Sequence, residues 1–313
     1  MNNTKVFAGT SNQKLAQMLC DKLEIPLGDV AISRQSSGEI HASYQESIRN
    51  EHVFIVQALS HPVNELLVEL LILIDAAKRG SAKTINLVIP YYGYARQERK
   101  AAPREPISAK LVADILTTAG ATRIITVDLH ADPIEGFFKI PVDHLTALGM
   151  IIRYLKDKKI DNPVVVSPDA GRATTAEKLA MLLDCPFAIM IKNRPEHNKA
   201  EITHIIGEVA GMTPIIIEDL IDTGGTIVNV VNALKSNGAN DAYVCATHGV
   251  FSDNAIDRLN HPNIKEVVIT DTIAIGEPPS DKFVELSASG LLAEAIRIIT
   301  KGGSIDSLQH TRV

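Results

Sequence analysis

The sequence predicts an α/β fold of two tandem domains, each a mainly parallel sheet flanked by helices. Short apolar runs alternate with longer segments of helical period. That is the rhythm of strand–helix–strand units whose parallel sheets are covered on both faces. The length, 313 residues, suits two domains of about 100–200 residues each. An apolar strand ending in acids occurs once in each half, IITVDLH at 124–130 and IIIEDLID at 215–222.

Taken in order, 5–8 predicts a strand and 11–23 a helix opened by Ser11 as cap. Residues 33–44 are polar and alternating, the pattern of a hairpin. The run at 53–56, VFIV, predicts a buried strand, and 64–79 carries apolar residues at helical spacing. A strand at 84–89, a helix at 107–119 and a strand at 123–127 complete the first half. The same rhythm then repeats: helix 146–158, strand 164–166, helix 174–183 and strand 187–191. Strand 214–217, helix 226–237, strands 242–246 and 266–269, and a last helix at 291–300 follow. The expected domains are 1–145 and 146–313.

Composition narrows the function. Apolar residues make up 45% and charged residues 22%, an ordinary globular balance. The net charge of -6 argues against a protein that coats nucleic acid, which needs a basic face. Cys20, Cys185 and Cys245 are far apart and form no CxxC pattern. They predict buried structural thiols rather than a disulfide framework or zinc site. The start, MNNTKVFAGTSNQ, lacks a basic region followed by an apolar run. No apolar stretch reaches the roughly 18 residues of a membrane span. A cytoplasmic protein without a membrane partner is expected.

In open α/β sheets ligands sit beyond the carboxyl ends of the strands, so chemistry is sought in the loops there. IIIEDLIDTGGT, 215–226, ends a buried strand in Glu218 and Asp219. It then turns through Asp222, Thr223, Gly224, Gly225 and Thr226 into a helix. Glycines admit close backbone approach, and amides at a helix start bind phosphate; the acids suit sugar hydroxyls or a hydrated metal. No Gly-Lys-Ser/Thr follows, so this is no Walker loop. PYYGYARQERKAAPREP, 90–106, is a long loop holding Arg96, Arg99, Lys100 and Arg104. Alone it reads as solvated; beside a phosphate cradle it reads as a cationic lid. His130 follows a strand among Asp128 and Asp132 and is a candidate metal ligand, as is Asp169 of Ser-Pro-Asp at 167–169. Lys192 and Arg194, one residue apart, suit a transferring phosphoryl group, whose charge must be neutralised.

These segments resemble the ribose-phosphate diphosphokinase (PRPP synthetase) family along nearly the whole chain. IPYYGYARQERK, VDLH, Ser-Pro-Asp, KNRP and IEDLIDTGGT fall in the family's order and spacing. The resemblance implies two phosphoribosyltransferase-like domains, a homo-oligomer (commonly a hexamer), and Mg²⁺ as cofactor. It also implies transfer of the diphosphoryl group of MgATP to ribose 5-phosphate. By position, Asp222, Thr223, Gly224, Gly225 and Thr226 would hold the 5-phosphate, and Glu218 and Asp219 the ribose hydroxyls. Arg96 and Gln97 would bind ATP, His130 and Asp169 would position Mg²⁺, and Lys192 and Arg194 would stabilise the transition state.

Gln35, Ser37 and Glu39 stand where the family usually reads Phe-Ser-Asp-Gly-Glu for its base contact. Residues 171–177, GRATTAE, stand where the family usually has Gly-Gly followed by a basic stretch. Ser47, Arg49 and Asp143 match the family's regulatory phosphate and ADP site. The sequence is thus that of a divergent member. The rival reading is a non-catalytic regulatory paralogue that assembles with an active synthetase; a phosphoribosyltransferase would lack the YARQERK lid joined to VDLH.

Overall fold

The computed structural model describes residues 3–309 apart from 197 and 198; of 192–196, 199–203, 307 and 309 it describes the backbone alone. The chain forms two compact units. The first takes the described residues up to Thr146, Thr272–Ala274 and the C-terminal segment from Ser287; the second takes Ala147–Asp271 and Ile275–Leu286.

In the first unit, strand β1 (Thr4–Ala8) leads into helix α1 (Gln13–Leu23). The cap differs from the predicted Ser11. Asn12 Oδ1 accepts from the Leu15 amide at 3.0 Å, while Ser11 Oγ accepts from the Ala58 amide at 2.8 Å. Both hydroxyl and amide side chains can cap; here the serine is used to join two loops. The predicted hairpin is β2 (Val30–Arg34) with β3 (Ile40–Tyr44), a separate antiparallel pair. Next come β4 (His52–Val56), α2 (Val63–Arg79), β5 (Thr84–Ile89), α3 (Ser108–Ala119), β6 (Arg123–Val127) and β7 (Val142–Leu145). β7 is too short and polar, Val-Asp-His-Leu, to be read as a strand from pattern alone. The sheet is parallel throughout, in the order β1-β4-β5-β6-β7. Alternation divides its strands: Val53 and Ile55, with Leu87 and Ile89, pack with Leu66, Leu70 and Leu73 of α2 and with Val112 and Leu116 of α3.

In the second unit, α4 (Leu148–Lys158), β8 (Pro163–Ser167) and α5 (Ala173–Leu183) precede a long hairpin of β9 (Phe187–Glu196) and β10 (Lys199–Ile206). Then come β11 (Thr213–Ile221), α6 (Gly225–Ser236), β12 (Ala242–Gly249), α7 (Ala255–Leu259), β13 (Ile264–Thr270) and β14 (Phe283–Leu286). The order is β10-β9-β8-β11-β12-β13-β14, parallel except for the β9–β10 pair. The strand predicted at 187–191 is thus twice as long, because pairing with β10 carries it through the polar residues after Ile191. Val164, Val166, Ile216 and Val244 pack with Val230 and Leu234 of α6; Val165, Ile215 and Ile217 pack with Ile151 and Leu179 of α4 and α5.

The helix α8 (Ser289–Lys301) departs from a second domain running to residue 313. It lies against α1 in the first unit, where Arg297 Nη2 donates to the Lys22 carbonyl at 2.9 Å. A short α9 (Asp306–Gln309) follows, and the Leu308 carbonyl accepts from the Thr146 amide.

Candidate functional site

The strand order of the second sheet reverses at one place. From β8 the chain steps to β9 on one side and returns to β11 on the other. Two neighbouring strands whose connections leave in opposite directions open a crevice at their carboxyl ends, and ligands of such sheets bind there. The loops at that crevice are Ser167–Asp169, after β8, and Asp222–Gly225, after β11.

β11 reaches Ile221, farther than the predicted 214–217, so Glu218 and Asp219 lie on the strand itself. Glu218 pairs with Ala246 of β12, and Asp219 is buried. The turn then tightens at Gly224, whose φ of 74° favours glycine, and Gly225 opens α6. A side chain at 224 would meet the Ala255 carbonyl and Leu259 at 3.5 Å, ordinary contact, so φ and not space selects glycine there.

The loop after β12 braces this turn from outside. The Ser252 amide donates to the Asp222 carbonyl at 3.1 Å, and Arg258 Nη1 of α7 donates to the Thr223 carbonyl at 2.8 Å. Both bonds hold the turn at its carbonyls, and α6, whose first amides have no partner within the helix, begins directly after it.

After β8, Ser167 is fully buried and its Oγ donates to the Asp169 carbonyl at 2.6 Å; Asp169 Oδ1 accepts from the Gly171 amide at 3.0 Å. A short 3-10 turn, Ala170–Arg172, brings Arg172 back over β11. Its Nη2 lies 2.6 Å from Asp219 Oδ2 and its Nε 4.0 Å from Glu218 Oε2. In sequence, 171–177 stands out only for the basic stretch it lacks. The arginine placed there instead supplies the counter-charge for the acid pair, and at 6% exposure Asp219's carboxylate is costly to leave uncompensated.

Lys192 and Arg194 lie on β9, adjacent to β8, three and five residues beyond the pairing of Ser167 with Ile189. Their side chains lie outside the described residues.

The first unit carries the remaining candidates. Beyond β5, Tyr92 is buried and donates to the Ala109 carbonyl at 2.9 Å, anchoring the base of the 90–106 loop; burial pushes its phenol well above the ordinary range. Tyr94, at φ 64°, donates to Asn64 Oδ1 and leads into a 3-10 turn, Ala95–Gln97. Arg96 and Gln97 are exposed there, and Gln97 Oε1 accepts from Ser108 Oγ at 2.5 Å. Glu105 Oε2 accepts from the Ala101 and Ala102 amides at 2.8 Å each, which gives the cationic loop an internal turn.

Gln35, Ser37 and Glu39 form the exposed tip of the β2–β3 hairpin. The Gln35 amide donates to the Glu39 carbonyl, and Ser37 Oγ donates to Glu39 Oε2, both at 2.8 Å. Ser47 and Arg49 line a cavity of about 320 Å³ with Tyr44, Glu46 and Gly80, and Arg49 Nη1 donates to Ser81 Oγ at 3.1 Å. Asp143 does not line it; its buried carboxylate pairs with Arg123 Nη1 at 2.6 Å.

His130 follows β6 after a kink at Asp128, φ 38°. It belongs to the first unit and Asp169 to the second. Among the described residues no group of three or more His, Cys, Asp or Glu side chains is arranged to hold a metal ion. The three thiols are unpaired, and burial raises each pKa, that of Cys20 to about 12, so none is an activated nucleophile.

Two residues that brace these loops, Arg172 and Arg258, carried no signal in sequence. Each acts through a contact distant along the chain or through a turn whose geometry only the fold defines.

Residues 4–120 match the N-terminal domain of ribose phosphate pyrophosphokinase, and 159–310 match the phosphoribosyl synthetase-associated domain. The chain is 52% identical over 310 residues to the ribose-phosphate pyrophosphokinase of Fusobacterium nucleatum, covering 98% of each. It is 52% identical over 305 residues to that of Bacillus caldolyticus, covering 97% of each. It superposes on a crystal structure of phosphoribosylpyrophosphate synthetase from Mycobacterium smegmatis with a TM-score of 0.90 at 42% identity, covering 96% of this chain and all of the other. Identity at this level along almost every residue of chain and relatives alike means that the chain belongs to the ribose-phosphate pyrophosphokinase family.

Proposed function

We propose that the chain transfers the diphosphoryl group of MgATP to O1 of ribose 5-phosphate, giving 5-phosphoribosyl 1-diphosphate and AMP. The observation that carries this reading is the crevice between β8 and β11. It joins a glycine-threonine turn at the head of α6 to an acid pair on the preceding strand. Identity of about half with relatives named as pyrophosphokinases favours the enzyme over the non-catalytic paralogue.

In this reading Asp222, Thr223, Gly224, Gly225 and Thr226 hold the 5-phosphate through backbone amides and hydroxyls. Glu218 and Asp219 accept from the ribose hydroxyls and so fix the sugar's orientation. Arg96 and Gln97 bind the ATP phosphates, and Gln35, Ser37 and Glu39 contact its base. The anomeric hydroxyl attacks the β-phosphorus in line; the O1–Pβ bond forms as the bond from Pβ to the bridging oxygen of the α-phosphate breaks, and AMP leaves. Lys192 and Arg194 neutralise the charge that builds on the transferring group. The 90–106 loop closes over ATP and excludes water, which would otherwise take the place of the sugar.

The donors suit Mg²⁺. That ion prefers oxygen ligands and is commonly held by one or two carboxylates plus substrate phosphates rather than by an all-protein cage. Asp169 of the second unit would hold a Mg²⁺ ion through its carboxylate, and His130 of the first unit would position one through bound water; the ions would neutralise phosphate oxygens. Ser47 and Arg49 would serve a regulatory anion, whereas Asp143, absent from their cavity, pairs with Arg123. No helix among the described residues is long and apolar enough to cross a membrane. By resemblance to the family, the protein is read as a cytoplasmic homo-oligomer, a hexamer, without a nucleic-acid partner.

The test is AMP release by the purified chain, with several nucleoside triphosphates, with and without inorganic phosphate. AMP formation that requires both ATP and ribose 5-phosphate is expected. No AMP would favour the regulatory paralogue, and a requirement for a nucleobase would favour a phosphoribosyltransferase.

A further inference from the structure

The loop that carries His130 is held from behind by β7. β6 ends at Val127, and the backbone turns at Asp128 into the left-handed region, φ 38°, a conformation that costs a non-glycine residue energy and persists only where neighbours impose it. Two hydrogen bonds from the end of β7 impose it. The Asp128 amide donates to the Leu145 carbonyl at 2.9 Å. The next amide, that of buried Leu129, has left the ladder and donates instead to the imidazole of His144, Nε2, at 2.8 Å.

A ring nitrogen that accepts a hydrogen bond carries no proton, so the neutral ring has its proton on Nδ1. Nδ1 lies 2.6 Å from Glu135 Oε1, the acceptor that this tautomer requires. Glu135 belongs to a 3-10 turn, Asp132–Phe137, that begins two residues after His130. The chain of contacts from Glu135 through His144 to the Leu129 amide therefore ties the segment after His130 to the segment before it. The ring of His144 is mostly buried, 15% exposed, while Glu135 reaches the surface.

We propose that His144 is a positioning residue for His130. It fixes the backbone at Leu129 so that the next side chain is presented to the nucleotide–metal complex, and Glu135 fixes the tautomer that makes this possible. The inference rests on the reading of His130 as a ligand of MgATP. A carboxylate that orients an imidazole, which in turn orients a reactive group, is a recurrent device for fixing a ring's tautomer. Here its target is a backbone amide beside the functional residue.

The test compares His144→Ala with His144→Gln, whose side-chain oxygen reaches the position of Nε2 and can accept the same amide. NMR of the imidazole nitrogens of the unaltered chain is recorded alongside. His144→Ala is expected to lower turnover, or raise the Mg²⁺ needed for half-maximal rate, by about tenfold or more, with little change in KM for ribose 5-phosphate. His144→Gln should recover most of the loss, and the unaltered ring should carry its proton on Nδ1. If His144→Ala does not fold, Glu135→Gln, at an exposed position, should still lower turnover. An Nε2–H tautomer in an active chain overturns the inference alone. So do an unchanged rate and Mg²⁺ dependence in a folded His144→Ala chain, or in Glu135→Gln if that is the variant measured. A chain that forms no AMP at all overturns the reading of function on which it rests.

Discussion

At Lys192 and Arg194 two cations are separated by a single residue on β9, the strand beside the Ser-Pro-Asp loop. Removing one donor that serves the transition state typically costs about 100- to 1000-fold in turnover. Lys192→Ala and Arg194→Ala are expected to fall in that range while melting normally; near-normal AMP release from either would show that the pair has no such role. In sequence the two positions are marked by KNRP following an apolar run. Arg172 was not legible. Local pattern marks 171–177 as a segment lacking a basic stretch, yet the fold turns its one arginine onto Asp219. A residue's partner in an ion pair is set by tertiary geometry, on which spacing along the chain is silent. His144 and Glu135 were hidden for the same reason, and Ser11, read as a helix cap, gave up that role to Asn12 because its hydroxyl serves the Ala58 amide.

The elements followed the hydrophobic period wherever burial is one-sided or complete. Thus the strands at 84–89 and 123–127 have the predicted bounds. The long β9–β10 hairpin departs, since polar residues in an antiparallel pair carry no apolar signature and the pairing itself extends the strand. β11 also outruns its prediction, because Glu218 and Asp219 sit in a ladder between apolar neighbours. That extension matters, for it fixes the acids on a rigid strand and leaves only the Asp222–Gly225 turn to be shaped by its glycines. In the proposed cradle the element that would shape phosphate binding is the left-handed residue ahead of α6. Gly224→Ala would force a Cβ into φ 74°, a cost of about 1–2 kcal/mol, without a steric clash. The expected result is a lower melting temperature and a raised KM for ribose 5-phosphate. A variant unchanged in both would mean that the turn tolerates another geometry and that its shape is not what holds the sugar.

For the molecule as a whole, the sequence shows two α/β halves but not that the chain's last helix lies against its first. α8 belongs to the first unit, where Leu292 and Ile296 are fully buried and Arg297 bonds to the end of α1. Its period revealed a helix; its destination depends on which apolar face is left uncovered. Leu292→Ala is expected to destabilise the protein by about 2–5 kcal/mol, measured by denaturant unfolding, and a loss well below that would show that the helix is loosely held. In the proposed reaction one diphosphoryl group passes from MgATP to ribose 5-phosphate. Phosphorus NMR of the purified chain with MgATP and ribose 5-phosphate tests this most directly. The prediction is AMP and a sugar 1-diphosphate formed in equal amounts, with no orthophosphate. ADP or orthophosphate appearing without a diphosphorylated sugar would contradict it.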